Sequence, residues 1–178
     1  MTKDALILGI ETLALSDHQS LRLGFNSLGA MASVNHLHWH CYYFDYKLTI
    51  NEIPIVNGLL LDWPIPTIVF ELNDVHKGSI LDVAQKVMRI IEFCLTNGQI
   101  SHNIFLSRTP LQKIRIYLWL VEPRWGQKNS YDINAAFCEF TGYFICKSKD
   151  IFDSLDEMQC IKVLKSIQSY HDKVLHLL

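Results

Sequence analysis

The amino-acid sequence predicts an α+β domain built around a mainly antiparallel sheet flanked by helices. Three observations carry that expectation. Strand-like alternating segments and segments of helical three-and-four spacing intermix along the chain rather than repeating as regular βα units. No internal repeat, low-complexity tract or linker divides it, so residues 1–178 read as a single domain. The 178 residues, 49% hydrophobic and 19% charged, are enough to bury roughly 70% of the surface of the unfolded chain without metal or disulfide staples.

Residues 5–15 crowd apolar side chains after Asp4 and before Ser16-Asp17, which suits a short helix packed on a core. Residues 21–25 read as a short strand and 26–32 as a loop of small residues. Residues 33–48 form a long strand-like run dense in aromatic and alternating residues. Pro54, Asn57-Gly58, Pro64 and Pro66 punctuate a loop, and residues 67–72 make another strand. Ile80, Val83, Ala84, Val87, Met88, Ile91, Cys94 and Leu95 fall at helical spacing, with Ser79 as N-cap and Asn97-Gly98 as the stop. Residues 103–107 and 114–121 predict two strands joined by a turn at Arg108-Thr109-Pro110, and residues 133–140 a further helix. The last helix opens on Ser154-Leu155-Asp156-Glu157, which has capping-box spacing, and continues through Met158, Ile161, Leu164, Lys165 and Ile167.

Sixteen Lys and Arg against eighteen Asp and Glu leave a formal charge of −2. With no basic block, the sequence offers no footprint for general nucleic-acid binding and no polybasic segment for an anionic membrane. No stretch approaches the roughly 18 uninterrupted apolar residues of a spanning helix. The N-terminus, Met1-Thr2-Lys3-Asp4 and an apolar run broken by Gly9, Glu11 and Thr12, does not read as a signal peptide. Five cysteines without C-x-x-C spacing fit buried thiols in a reducing compartment, so the expected location is cytoplasmic.

The chemistry is concentrated in Asn35-His36-Leu37-His38-Trp39-His40-Cys41. On a strand, His36, His38 and His40 line one face, about 6.7 Å apart at the backbone, while Leu37, Trp39 and Cys41 anchor the other in the core. Three half-exposed histidines on a sheet, a zinc site and nucleophilic catalysis all fit this pattern. Zinc requires a third or fourth ligand that the local sequence does not mark. In the catalytic reading a central imidazole attacks phosphorus while its neighbours orient it and receive charge. The preceding segment, from Gly24 through Asn26, Gly29 and Ser33, is a strand end followed by a loop whose backbone N–H groups and Ser33 hydroxyl can hold phosphate oxygens, which favours phosphoryl chemistry.

The run Gly-Phe-Asn-Ser-Leu-Gly-Ala-Met-Ala-Ser-Val-Asn-His-Leu-His-Trp-His-Cys-Tyr-Tyr at 24–43 resembles the histidine-triad superfamily, and more closely its GDP-hexose phosphorylases. The resemblance continues through 101–108, 114–119 and 138–143. Histidine rather than glutamine at position 40 resembles the animal members. The resemblance implies a histidine-triad-like fold and a nucleotidyltransferase that needs no metal or other cofactor. His38 would be the nucleophile on the α-phosphorus of GDP-glucose, expelling glucose 1-phosphate and leaving GMP on the histidine, and inorganic phosphate would then release GDP. His36 and His40 would hold its tautomer and balance charge, with Asn26 and Ser33 at the α-phosphate. Lys128 and Glu139 also occupy family-like positions, without an assigned role.

Arg108, Arg115 and Arg124 are candidates for the sugar phosphate or incoming phosphate, with a salt bridge as the alternative for each. His102-Asn103 opens a strand and either faces the site or caps it, whereas His18, His76, His171 and His176 are expected to be solvated. Family members extend further on the N-terminal side, where the resemblance implies more strands and much of the guanosine pocket. The chain is thus expected to be a fragment of a longer phosphorylase fold, with a sheet edge open to self-association. The alternatives are a truncated, non-catalytic guanine-nucleotide-binding or interaction protein, and a hydrolase releasing GMP.

Overall fold

Residues 114–121, Ile-Arg-Ile-Tyr-Leu-Trp-Leu-Val, offer almost nothing to solvent, as suits a central strand covered on both faces. The computed structural model, which describes residues 1–97, 100–125 and 133–178, places them there. In chain order the described residues form α1 (Lys3–Leu15), β1 (Leu21–Asn26), β2 (His40–Tyr43), β3 (Leu59–Leu60), β4 (Thr67–Leu72), α2 (Lys77–Asn97), β5 (Ser101–Arg108), β6 (Ile114–Val121), α3 (Phe137–Phe140), α4 (Lys149–Ser154) and α5 (Glu157–Lys165). Short 3-10 helices lie at Thr49–Asn51 and His171–Leu177. The strands form one antiparallel sheet in the order β2-β1-β5-β6-β4-β3, so the α+β expectation holds.

Strand alternation sorts the core into two layers. Ile114, Ile116, Leu118 and Leu120 of β6 face α1 and α2, joined by Leu23, Phe25, Ile104 and Leu106. Tyr117, Trp119 and Val121 point to the opposite face, where Phe105, Phe137, Phe140 and Leu164 close a second cluster. Among the described residues, no helix is long and apolar enough to cross a membrane. All five cysteines are free thiols.

Several boundaries differ from the sequence expectation. α2 begins at Lys77, ahead of Ser79; His76 Nδ1 accepts the Ser79 N–H at 3.1 Å, and the Ser79 hydroxyl donates to Asp74. Its expected stop at Gly98 lies outside the described residues. The helix expected over 133–140 is confined to α3, because Ile133 and Ala135 are buried in non-helical chain and the Ala135 carbonyl accepts from Arg124 Nη2 at 2.7 Å. The capping box of α5 is Asp156 with Gln159 rather than Ser154 with Glu157, since Ser154 ends the unforeseen α4.

The largest correction concerns residues 33–48, where only His40–Tyr43 pairs as a strand. The β1–β2 ladder stops at Gly24 opposite His40, and the His36 carbonyl faces the His38 ring instead of a neighbouring strand. Leu37 and Cys41 are exposed, so the inward anchoring falls to Trp39 alone. Its indole Nε1–H donates to the Ala5 carbonyl of α1 at 3.0 Å and meets the Phe25 ring edge-on at 6.0 Å. A Cβ on Gly9 would lie 2.8 Å from the indole, so the absence of a side chain there is what lets α1 seat it.

If Trp39 pegs the segment, Trp39→Ala should lower unfolding stability in urea by about 3 kcal/mol through lost burial and a residual cavity. Trp39→Phe, which keeps the ring but loses the hydrogen bond, should cost about 1 kcal/mol. Equal, negligible losses in both variants would show that the segment is held elsewhere.

Candidate active site

Anchoring Trp39 toward α1 turns both its sequence neighbours the other way, and an imidazole cluster results even without a continuous strand. The His38 ring centroid lies 5.1 Å from that of His36 and 4.7 Å from that of His40. His38 Nδ1 is 3.0 Å from the His36 carbonyl oxygen. A carbonyl only accepts, so Nδ1 carries the proton and Nε2 carries the lone pair. That Nε2 lies 3.1 Å from His40 Nε2, which is therefore the donor. Burial, and then the neighbouring His38, hold His40 below its ordinary pKa of 6.5, favouring the neutral donor. The three rings come together as a cluster, although His36 and His38 lie outside β2 and His36 shares a cleft with its neighbour Leu37.

His40 is backed by the Phe137 ring of α3 at 5.4 Å and by Tyr42, stacked at 6.3 Å. Phe137 reaches this position across Gly24 of β1, where any Cβ would overlap its ring. Beneath the histidines, Asn26 Oδ1 accepts from Asn103 Nδ2 at 2.6 Å and from the Phe137 N–H at 3.4 Å. These two contacts orient the Asn26 amide and assign its Nδ2 to the other side.

The small-residue loop is pinned to the start of β5. Ser101 Oγ donates to the Leu28 carbonyl at 2.8 Å and Asn103 Nδ2 to the Ala30 carbonyl at 2.9 Å, while the His102 N–H donates to Ser27 Oγ at 2.8 Å. Gly29 takes a φ of +79°, a backbone region glycine adopts freely, and a Cβ there would press on Ser101 and Pro123. Gly29 thus shapes the turn and its seating on β5. Ser33 is exposed on the outer half of the loop. The sequence marks this hold only through the polar run Ser101-His102-Asn103 at the head of β5.

The arginines are engaged elsewhere. Arg108 Nη2 donates to the carbonyls of Leu13 and Ala14, finishing α1. Arg115 pairs with Glu71 at 2.8 Å and donates to the Asn51 and Ile53 carbonyls, the salt-bridge alternative. Arg124 holds Ala135. Glu139, buried, accepts from the backbone N–H groups of Ala136 and Ile145, which gives it a structural role. Lys128 lies outside the described residues. His18 and His76 are exposed, as is His176, whereas His171 is half-buried beside Ser169. Among the described residues, no group of three His, Cys, Asp or Glu side chains is placed to hold a metal ion.

His102 is not a surface cap. It is 2% exposed, its ring tilts against Phe25 at 5.7 Å, and its Nε2 is buried with no hydrogen-bond partner among the described residues. Leaving such an atom unpaired costs about 1–3 kcal/mol. Burial pushes its pKa down to about 3, so the ring stays neutral. With Asn26 and His36 it lines a cleft of about 370 Å³ at the end of β1.

Comparison with known proteins follows the same outline. Residues 1–42 match the family model described as GDPGP1-like, N-terminal domain, and residues 49–173 the one described as GDPGP1-like, C-terminal domain. The chain is 34% identical to GDP-D-glucose phosphorylase 1 of Homo sapiens, over 90% of this chain and 46% of that protein. It is 32% identical to GDP-D-glucose phosphorylase 1 of Xenopus laevis, over 92% and 44%. With GDP-L-galactose phosphorylase 2 of Arabidopsis thaliana the identity is 28%, over 92% and 40%. The chain thus spans about half the length of the curated relatives it matches. No solved structure matches it.

The buried neutral imidazole sets an acid limit on stability. The unfolded chain binds a proton at His102 below its ordinary pKa of 6.5, whereas the folded chain binds it only near 3, so stability falls as pH drops through that window. Between pH 6.5 and 4.5 the loss attributable to His102 should be on the order of 2–3 kcal/mol. Urea unfolding across this range should show His102→Phe with a flatter profile than the unaltered chain. Parallel profiles would place the acid sensitivity in other groups.

Proposed function

Because the chain belongs to the GDPGP1-like family, we propose that its histidine cluster transfers a guanylyl group, splitting GDP-glucose with inorganic phosphate into glucose 1-phosphate and GDP. The observation that carries this reading is the double orientation of His38. Nδ1 is tied to the His36 carbonyl, and the Nε2 lone pair is presented beside the His40 N–H. A nucleophilic histidine needs this arrangement, because an imidazole attacks from the nitrogen without the proton.

In the first step His38 Nε2 forms a bond to the α-phosphorus as the bond to the glucose 1-phosphate oxygen breaks. The positive charge gained by the His38 ring is shared through Nδ1–H with the His36 carbonyl. His40, a neutral donor, shifts its N–H from His38 Nε2 to an oxygen on phosphorus. Asn26 contributes its free amide N–H₂ from the cluster's floor, and the loop holding Gly29 and Ser33 closes over the remaining oxygens. In the second step an oxygen of inorganic phosphate attacks the same phosphorus, the N–P bond breaks, and GDP departs. One preorganised site thereby serves two displacements, with ping-pong kinetics.

Five unpaired thiols scattered between core and surface fit a reducing compartment such as the cytoplasm. The outer edge of β2 has no partner strand among the described residues, and it is where a second copy would add to the sheet.

Incubation with GDP-glucose in the absence of phosphate should add one guanylyl group to the chain by intact mass, and added phosphate should discharge it as GDP. His38→Asn should abolish the adduct. His40→Asn should keep it while slowing its formation by about 10²–10⁴-fold. Free GMP as the product would identify a hydrolase instead. Guanine-nucleotide binding with no adduct on a folded chain would identify a binding protein.

A further inference from the structure

The cleft at the end of β1 is distinct in character from the histidine cluster it adjoins. Phe25, Val34 and Ile100 give it apolar walls, and Asn26, His36 and His102 supply polar groups. Its volume of about 370 Å³ is within the range of small-molecule sites. His36 connects the two regions, since its ring lines the cleft and stands 5.1 Å from that of His38. Asn26, on the cluster's floor, is shared as well. A nucleotide whose α-phosphate sits at His38 therefore has one of its two ends within reach of this cleft.

Apolar walls with an aromatic ring suit a flat heteroaromatic ligand, and the buried, unpartnered Nε2 of His102 requires a polar edge on that ligand. On the guanylyl-transfer reading above, we infer that this cleft receives the nucleobase and that His102 reads its edge, making His102 a specificity-determining residue. With its proton on Nε2, the ring donates to the keto oxygen at position 6 of guanine. Adenine presents an amino group at that position, placing N–H against N–H. Burial, and then the Met1 ammonium that lines the same cleft, hold this imidazole neutral.

Titration calorimetry with GDP and with ADP tests this without turnover. The unaltered chain should prefer GDP. His102→Phe should weaken GDP binding about tenfold, the equivalent of one hydrogen bond, and leave ADP nearly unchanged, so the ratio of affinities collapses. His102→Gln, which restores an N–H donor, should recover part of that ratio. An unchanged ratio in a folded variant, or an unaltered chain that binds both nucleotides alike or neither, would overturn the inference. A chain that prefers GDP through His102 but forms no guanylyl adduct would instead overturn the catalytic reading alone.

Discussion

Trp39 sits between two histidines in a segment with little regular structure, and its indole anchors the histidine stretch inward where Leu37 and Cys41 do not. The ring is wedged between α1 and Phe25, with its N–H on the Ala5 carbonyl and its bulk in the space that Gly9 leaves open. With that side chain fixed toward the helices, His38 and His40 on either side of it come together, their rings 4.7 Å apart. The imidazole cluster follows from a packing constraint on its neighbour. A helix without catalytic side chains therefore determines where the candidate nucleophile stands.

Around this anchor, positions are held mostly by neutral hydrogen bonds and aromatic contacts. Asn103 orients Asn26, Ser101 and Asn103 tie down the loop, and Phe137 backs His40 through the notch at Gly24. The acid closest to this scaffold, Glu139, is committed to two backbone N–H groups, and Arg115 and Arg108 serve the far end of the sheet and the end of α1. The cluster is thus framed by imidazole, amide and aromatic groups rather than by these charged side chains.

Much of this was legible in the sequence. β4 and β6 coincide with their expected spans because apolar runs broken only by Glu71 and by Arg115, and ending at turn residues, leave few alternatives. The three rings come together without the hydrogen-bonded ladder that the histidine period predicts, because Trp39 rather than strand pairing fixes the stretch. Leu37 and Cys41 could not be distinguished from Trp39 by pattern, because only the indole had a vacancy at Gly9 to fill. The apolar stretch at 133–140 carried no helix beyond α3, since a buried extended segment and a short helix share the same composition. The unpaired nitrogen of His102 depends on neighbours distant in sequence and leaves no local mark.

The two family models divide the chain between residues 42 and 49, yet β1, on one side of that division, is hydrogen-bonded to β5 on the other. The first segment adds β1 and most of β2 to the four strands that the second supplies, and Phe137 of the second fills the gap that Gly24 reserves for it. The covalent link between them is consequently a tether rather than a joint. Substitutions at the strand boundary must be matched across it, so the two segments are bound to vary as a pair, much like the facing surfaces of an obligate dimer.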